Sequence, residues 1–225
     1  MTAAALAPTT TGTLAKSTKS KGRKRPVPDF LIRETIDGIP FYFRGYKEVL
    51  SKKKVLDDIM ADSGLQLFIK SYLHNLLIRG LDSEIFYVFM GEVGAHLEHK
   101  SNLGLDVAVY ETAQLPGEKF NFKYLDVAPK FVIEVDMKVS LDDTGLDTFA
   151  QFLDLKTQKL FEFGVERLIW VLTPSKKVVI ATPGEDWLLV DWNKDIELWL
   201  GVKANIGQYL TSRGVNPEIF MGGNR

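Results

Sequence analysis

The chain contains no cysteine. That removes disulfides, cysteine–zinc sites and thiol nucleophiles together, and it fits a reducing, cytoplasmic setting. Histidine is scarce as well, with only His74, His96 and His99. A metal bound here would therefore be held by oxygen, which favours magnesium, or manganese, over zinc. No apolar run reaches the roughly 18 residues that a membrane span needs. The spacings of a P-loop, a dinucleotide-binding glycine turn, a serine nucleophile elbow and a zinc finger are all missing. Acids are absent from residues 1–26, which carry Lys16, Lys19, Lys21, Arg23, Lys24 and Arg25. The net charge of −1 thus hides a strongly basic end and an acidic remainder.

What is present is enough apolar material for a full core: 225 residues, 45% of them hydrophobic. The composition predicts a disordered basic tail over 1–28 and a single domain over 29–225. The tail has no apolar stretch of the kind a secretory signal carries. Its Lys21-Gly-Arg-Lys-Arg25 run reads either as a nucleic-acid-binding arm or as a solubilising extension.

After Pro28, Asp37-Gly38 between alternating apolar residues predicts a hairpin over 31–43. A helix is expected over 46–60. A second, capped by Asp62-Ser63, is expected to run to Arg79 before Gly80, with Leu65, Phe68, Ile69, Tyr72, Leu73, Leu76 and Leu77 as its stripe. Strands follow at 85–90, extending towards His96, and at 105–110, 131–138, 168–173, 178–182 and near 187–191. One helix over 145–163 interrupts them, with Gly164 as its C-cap. Helices, strands, one crossover helix and more strands describe an α/β domain with a mixed sheet.

Phe131-Val-Ile-Glu-Val-Asp-Met-Lys138 is the most chemically loaded stretch. With strand alternation, Phe131, Ile133, Val135 and Met137 share one face, and Val132, Glu134, Asp136 and Lys138 share the other. Successive members of a face lie about 6–7 Å apart. Two carboxylates there repel each other unless a cation or the lysine offsets them. The pattern suits metal-dependent hydrolysis, while a solvated strand face with an ordinary Asp–Lys pair is the competing reading. Asp106 adds a third acid, flanked by Leu105 and Val107 on a strand where an unpaired charge is costly. Adjacent strands are about 4.8 Å apart, so Asp106 and Glu134 could reach one cation.

Leu105-Asp106-Val-Ala-Val109, Val132-Ile-Glu-Val135, Lys156 eight residues before Gly164-Val165, and Glu166-Arg-Leu-Ile-Trp-Val171 occur in that order. Together they resemble the "Uma two" family of restriction endonucleases, a branch of the PD-(D/E)XK nuclease superfamily. The resemblance covers roughly residues 30–200. Two departures stand out: Leu105 occupies the usual place of a proline, and Asp136-Met-Lys138 replaces a Ser- and Pro-containing turn. Lysines are therefore available both from the strand, at Lys138, and from the helix, at Lys156, with Lys159 a turn further on. Which of them is catalytic stays open.

The resemblance implies a restriction-endonuclease-like mixed sheet flanked by helices, preceded by an N-terminal hairpin and helices. It implies Mg²⁺-dependent (or Mn²⁺-dependent) hydrolysis of DNA phosphodiesters. Asp106, Glu134 and Asp136 would be the metal ligands, and Lys138 or Lys156 the water-positioning cation. A homodimer follows from the need to cut two strands, and Ile196–Leu200 is the expected contact. A catalytically weak nuclease-like fold that binds nucleic acid or regulates is the alternative. Glu92 and Glu98 are read as exposed strand-end acids, His74 as a packed histidine, and Trp170, Trp187, Trp192 and Trp199 as core rather than base-stacking residues.

Overall fold

Asp37 and Gly38 both take positive φ, 51° and 77°, the pair that a two-residue hairpin of matching twist requires. They join β1 (Ile32–Ile36) to β2 (Ile39–Tyr42), as the sequence predicts. The computed structural model describes residues 26–216. The basic residues Lys16 to Arg25 of the proposed tail lie outside that range.

The single helix expected over 46–60 is two short ones, α1 (Tyr46–Leu50) and α2 (Asp57–Met60). Between them Lys52 takes a left-handed φ of 60°. The run Ser51-Lys-Lys-Lys54 supplies no apolar residue for a buried stripe, and Leu50, Val55 and Met60 remain exposed. Without a face to bury, a helix there gains little from tertiary packing. The next helix, α3 (Gly64–Gly80), has both advantages. Ser63 and Gln66 form a reciprocal capping box, and Ile69, Leu73 and Leu77 are fully buried.

Strands β3 (Phe86–Glu98) and β4 (Ser101–Glu111) pair antiparallel along nearly their whole length. A strand has two hydrogen-bonding edges, so the remaining neighbours of β4 share its other edge. There β1 pairs at Asn102, and β5 (Phe131–Val135) pairs at Val107 to Val109. The sheet therefore forks at β4, and Asp106 sits at the fork. Beyond β5 the order continues through β6 (Arg167–Leu172), β7 (Lys177–Ala181) and β8 (Leu188–Asp191). Among the strands of the described residues, only β5 and β6 pair in parallel. Their crossover is α4 (Phe149–Phe163), which starts four residues later than expected because Thr148 is the cap and Gly145 has φ 82°. Gly164, at φ 120°, ends it in backbone space that favours glycine.

The hairpin of β9 (Ile196–Trp199) and β10 (Val202–Ala204) leads into α5 (Ile206–Ser212). Ile196 and Leu198 are buried in the chain's own core beside α3 and α5, so most of the run expected to serve a dimer contact is used internally. The architecture is a large mixed sheet between two apolar layers. One is packed by α3 and α5 against Ile133 and Val135, the other by α4 against Val132 and Trp170. Among the described residues no helix is long and apolar enough to cross a membrane.

The core on the α3 side predicts a sharp contrast within one helix. Leu73→Ala should lower the unfolding free energy by about 2–5 kcal/mol. Leu67→Ala, at an exposed position, should change it by less than about 0.5 kcal/mol. Urea denaturation of both variants checks this.

Candidate active site

Where β4 leaves β1 for β5, the backbone ladder has a gap, and Asp106 fills it. Its Oδ2 accepts a hydrogen bond from the Val135 backbone N–H at 2.8 Å. Its Oδ1 accepts from two ammoniums, Lys70 on α3 at 3.0 Å and Lys138 at 2.9 Å. Asp106 is fully buried, so both oxygens must be satisfied from within the protein. Asp62, just ahead of α3, pairs with the same two lysines. The result is a square of two carboxylates and two ammoniums. Burial pushes the Asp106 carboxyl up, but Lys138 and Lys70 outweigh it and hold the group below the usual carboxylate range. Asp62 follows the same pattern.

Glu134 points from β5 to the other layer. Its carboxyl is 3% exposed. Oε1 lies 3.2 Å from Lys156 Nζ but makes no hydrogen bond among the described residues. Lys156, on α4, donates instead to Glu34 Oε2 at 2.8 Å and sits over the Trp170 ring. Trp170 is fixed in turn by its indole N–H donating to Thr157 Oγ1 at 3.1 Å. Arg33 Nη2 donates to both oxygens of Glu92 at 3.0 Å. Burial drives the Glu134 carboxyl up to about 8; Lys156 pulls it down, and Asp106 and Glu34 push it up again. Burial lowers Lys156, but Glu134 and Glu34 more than restore it, and its ammonium stays charged. At neutral pH Glu134 therefore holds a proton while Lys156 faces Glu34.

The two clusters meet at Lys138, which pairs with Asp106 and also lines a cavity of about 10 Å³ with Glu34, Glu134 and Lys156. That space admits about one water. The structure thus brings Asp106, Glu134, Lys138 and Lys156 to one place, from two strands, a turn and a helix.

Asp136 lines the same cavity, but its carboxylate is bonded elsewhere. The strand expected to reach Lys138 ends at Val135, and Asp136 turns into the left-handed region at φ 61°. Its carboxylate then accepts from the Thr173 N–H at 2.7 Å, the Thr173 hydroxyl at 2.6 Å and the Gln66 amide at 3.0 Å. Those bonds tie the end of β6 and the first turn of α3 to the exit of β5. Lys159 is held at the surface by Asp37 and Glu162, Glu92 by Arg33, and His74 by the Val88 carbonyl.

Three participants escape the sequence reading: Glu34, Asp62 and Lys70. Two carried a signal. Glu34 alternates with Ile36 on the inward face of β1, and Lys70 follows Ile69 within the apolar stripe of α3. A charge at an apolar position of an amphipathic pattern needs a buried partner.

Among the described residues no three acids or histidines gather closely enough to hold a metal by themselves. The bare Oε1 of Glu134, next to the Asp106 strand, still fits a hard cation taking two protein oxygens and completing its shell from water and phosphate. Asp106 and Asp136 would each have to give up a present hydrogen-bond partner to join such a shell.

No family model matches the chain, and no curated protein does. Among solved structures it is similar to a protein from Anabaena variabilis, assigned to DUF820 and described provisionally as a nuclease. The TM-score is 0.51 at 12% identity, over 67% of this chain and 82% of that one. The fold is similar to that protein's. At that identity the likeness speaks for the architecture, and the chemistry rests on the side chains.

A group whose folded pKa is raised binds extra protons in the native state, so stability falls as pH climbs from its unfolded to its folded value. For Glu134 that window runs from the ordinary glutamate range, about 4.3, to about 8. Wild-type stability should decline across it by up to about 1 kcal/mol per pH unit from this group. In Glu134→Gln that part of the slope should vanish, as urea midpoints measured against pH would show. Lys70→Met, which strands Asp106 and Asp62 without one counter-charge, should cost about 3–5 kcal/mol in the same assay.

Proposed function

We propose that the chain is a magnesium-dependent nuclease that hydrolyses phosphodiester bonds, with DNA as the substrate class. The observation that carries this reading is the pairing of a buried, unbonded Glu134 oxygen with Asp106 on the neighbouring strand, beside two lysines lining one cavity. Structural ion pairs serve stability alone when every oxygen is satisfied; an unsatisfied carboxylate oxygen costs stability and calls for a ligand.

Asp106 and Glu134 would hold the cation, with Lys138 displaced from Asp106. Magnesium, when bound, would supply charge neutralisation at phosphoryl oxygens and a water of lowered pKa. Lys138, the more exposed of the two lysines at 13%, is the ammonium free to swing onto a phosphoryl oxygen and offset the charge that develops there. Lys156 is a positioning residue. Held between Glu34 and Trp170, it fixes where the Glu134 carboxyl points.

Charge counting gives the reading a test. Glu34, Asp62, Asp106, Glu134 and Glu92, the partner of Arg33, face Arg33, Lys70, Lys138 and Lys156, so the cluster is one charge negative when all are ionised and balanced when Glu134 is protonated. A divalent cation must therefore first expel the Glu134 proton. Titration of magnesium at pH 7 in two buffers of different ionisation enthalpy should release close to one proton per ion. Glu134→Ala should abolish both binding and release, and Lys156→Met should slow DNA hydrolysis by about 10²–10³-fold. The cavity of about 10 Å³ is too small for phosphate, which favours a second reading: a closed, nuclease-like module that binds nucleic acid without cutting it. Absence of magnesium binding both with and without DNA would decide for the module.

A further inference from the structure

A cleft of about 360 Å³ adjoins the site between the start of α3, the exit of β5, the start of α4 and the β6–β7 turn. It shares Asp136 and Met137 with the wall of the Glu134–Lys156 cavity. Its sides are mostly apolar: Met137, Phe149, Leu172 and Pro174. Two polar groups face this surface. Gln66 spends one amide hydrogen on Asp136 and keeps the other. Arg44 stands exposed at the cleft, and its guanidinium has no hydrogen bond or ion pair among the described residues. Most other charged side chains near the site are partnered, so an unmatched guanidinium beside an aromatic-lined slot is distinctive.

We propose that this cleft receives one unstacked nucleotide of the strand being cut. The base lies against Phe149, Met137 and Leu172, and the phosphate on one side of it meets Arg44. The inference rests on the nuclease reading for the adjacent cavity and adds the substrate class, a single-stranded or locally unpaired strand. Walls that take the faces of a base admit it only once it has left its stack. Aromatic and apolar walls hold a base by its faces, whatever its identity, and guanidinium is the side chain best shaped for phosphate. The shared Asp136–Met137 wall puts the next phosphate of the strand towards Lys138. Entry of a base that is still paired requires unstacking at a cost of a few kcal/mol, which a single strand avoids. The preference is therefore for unpaired substrate.

The test is calorimetric binding of 5′-phosphorylated dithymidylate in magnesium-free buffer containing chelator, so that the outcome does not depend on metal or turnover. Wild type should bind. Arg44→Gln, which removes the exposed cation, and Ser175→Trp, which fills the cleft from its exposed rim, should each weaken binding about tenfold with unchanged circular dichroism. A single-stranded 12-mer should bind at least about tenfold more tightly than its duplex. No binding at about 10 mM dinucleotide, equal binding by both variants and wild type, or preference for the duplex would each overturn the proposal. If binding holds and hydrolysis is absent, the nuclease reading fails while the nucleotide cleft stands.

Discussion

A carboxylate buried at a fork in the sheet sets the arrangement of much of the molecule. Taking an ion out of water costs several kcal/mol even after the protein relaxes, and Asp106 recovers that cost only through partners placed within 3.0 Å. Those partners come from α3, from the end of β5 and from the turn beyond it. Lys70 cannot reach Asp106 unless α3 lies flat on the sheet, and Lys138 cannot unless the chain reverses after Val135. The reversal is provided by Asp136, whose own three hydrogen bonds hold the turn. One buried charge thus dictates the docking angle of a helix and the length of a strand.

The same fork separates two acids into opposite electrostatic states. Asp106 faces two ammoniums and a backbone N–H and stays ionised. Glu134, one residue from the end of the neighbouring strand, faces one ammonium already engaged by Glu34 and is pushed towards neutrality. Acid–base chemistry is commonly built on such a divergence, because neighbouring groups of one kind then play two roles. Here the divergence comes from the partners each can reach: α3 and the turn after β5 offer Lys70 and Lys138 to Asp106, while α4 offers Glu134 only Lys156, already bonded to Glu34.

Much of this was legible in the sequence. The Asp-Gly turn and the Ser63 and Gly164 helix boundaries follow from period and cap, Asp106 and Glu134 stand out as charges on apolar strands, and Lys156 enters only through the family resemblance. What stayed hidden depends on contacts far apart in the chain. Alternation extended the strand through Asp136 and Lys138 because nothing local marks a left-handed aspartate; the reason for it is Thr173, in the turn after β6. The continuous helix over 46–60 failed for want of a surface to pack on. Glu34 and Lys70 read as interruptions of apolar patterns, and only the assembled sheet shows that they interrupt them to meet Lys156 and Asp106.

Asp62 gives the ion square a weak corner. It follows α2, a single turn with no buried side chain, in a stretch whose apolar residues are largely left to solvent. Segments of that kind open at low free-energy cost, well before the body of a domain does. Were this one to lift away, Lys70 and Lys138 would lose a shared anion at the same instant and be left with Asp106 alone, one positive charge in excess. The least firmly held piece of backbone in the neighbourhood is therefore coupled to the sign of the potential at its centre, so that breathing of the chain and the pull exerted on an incoming anion rise and fall together.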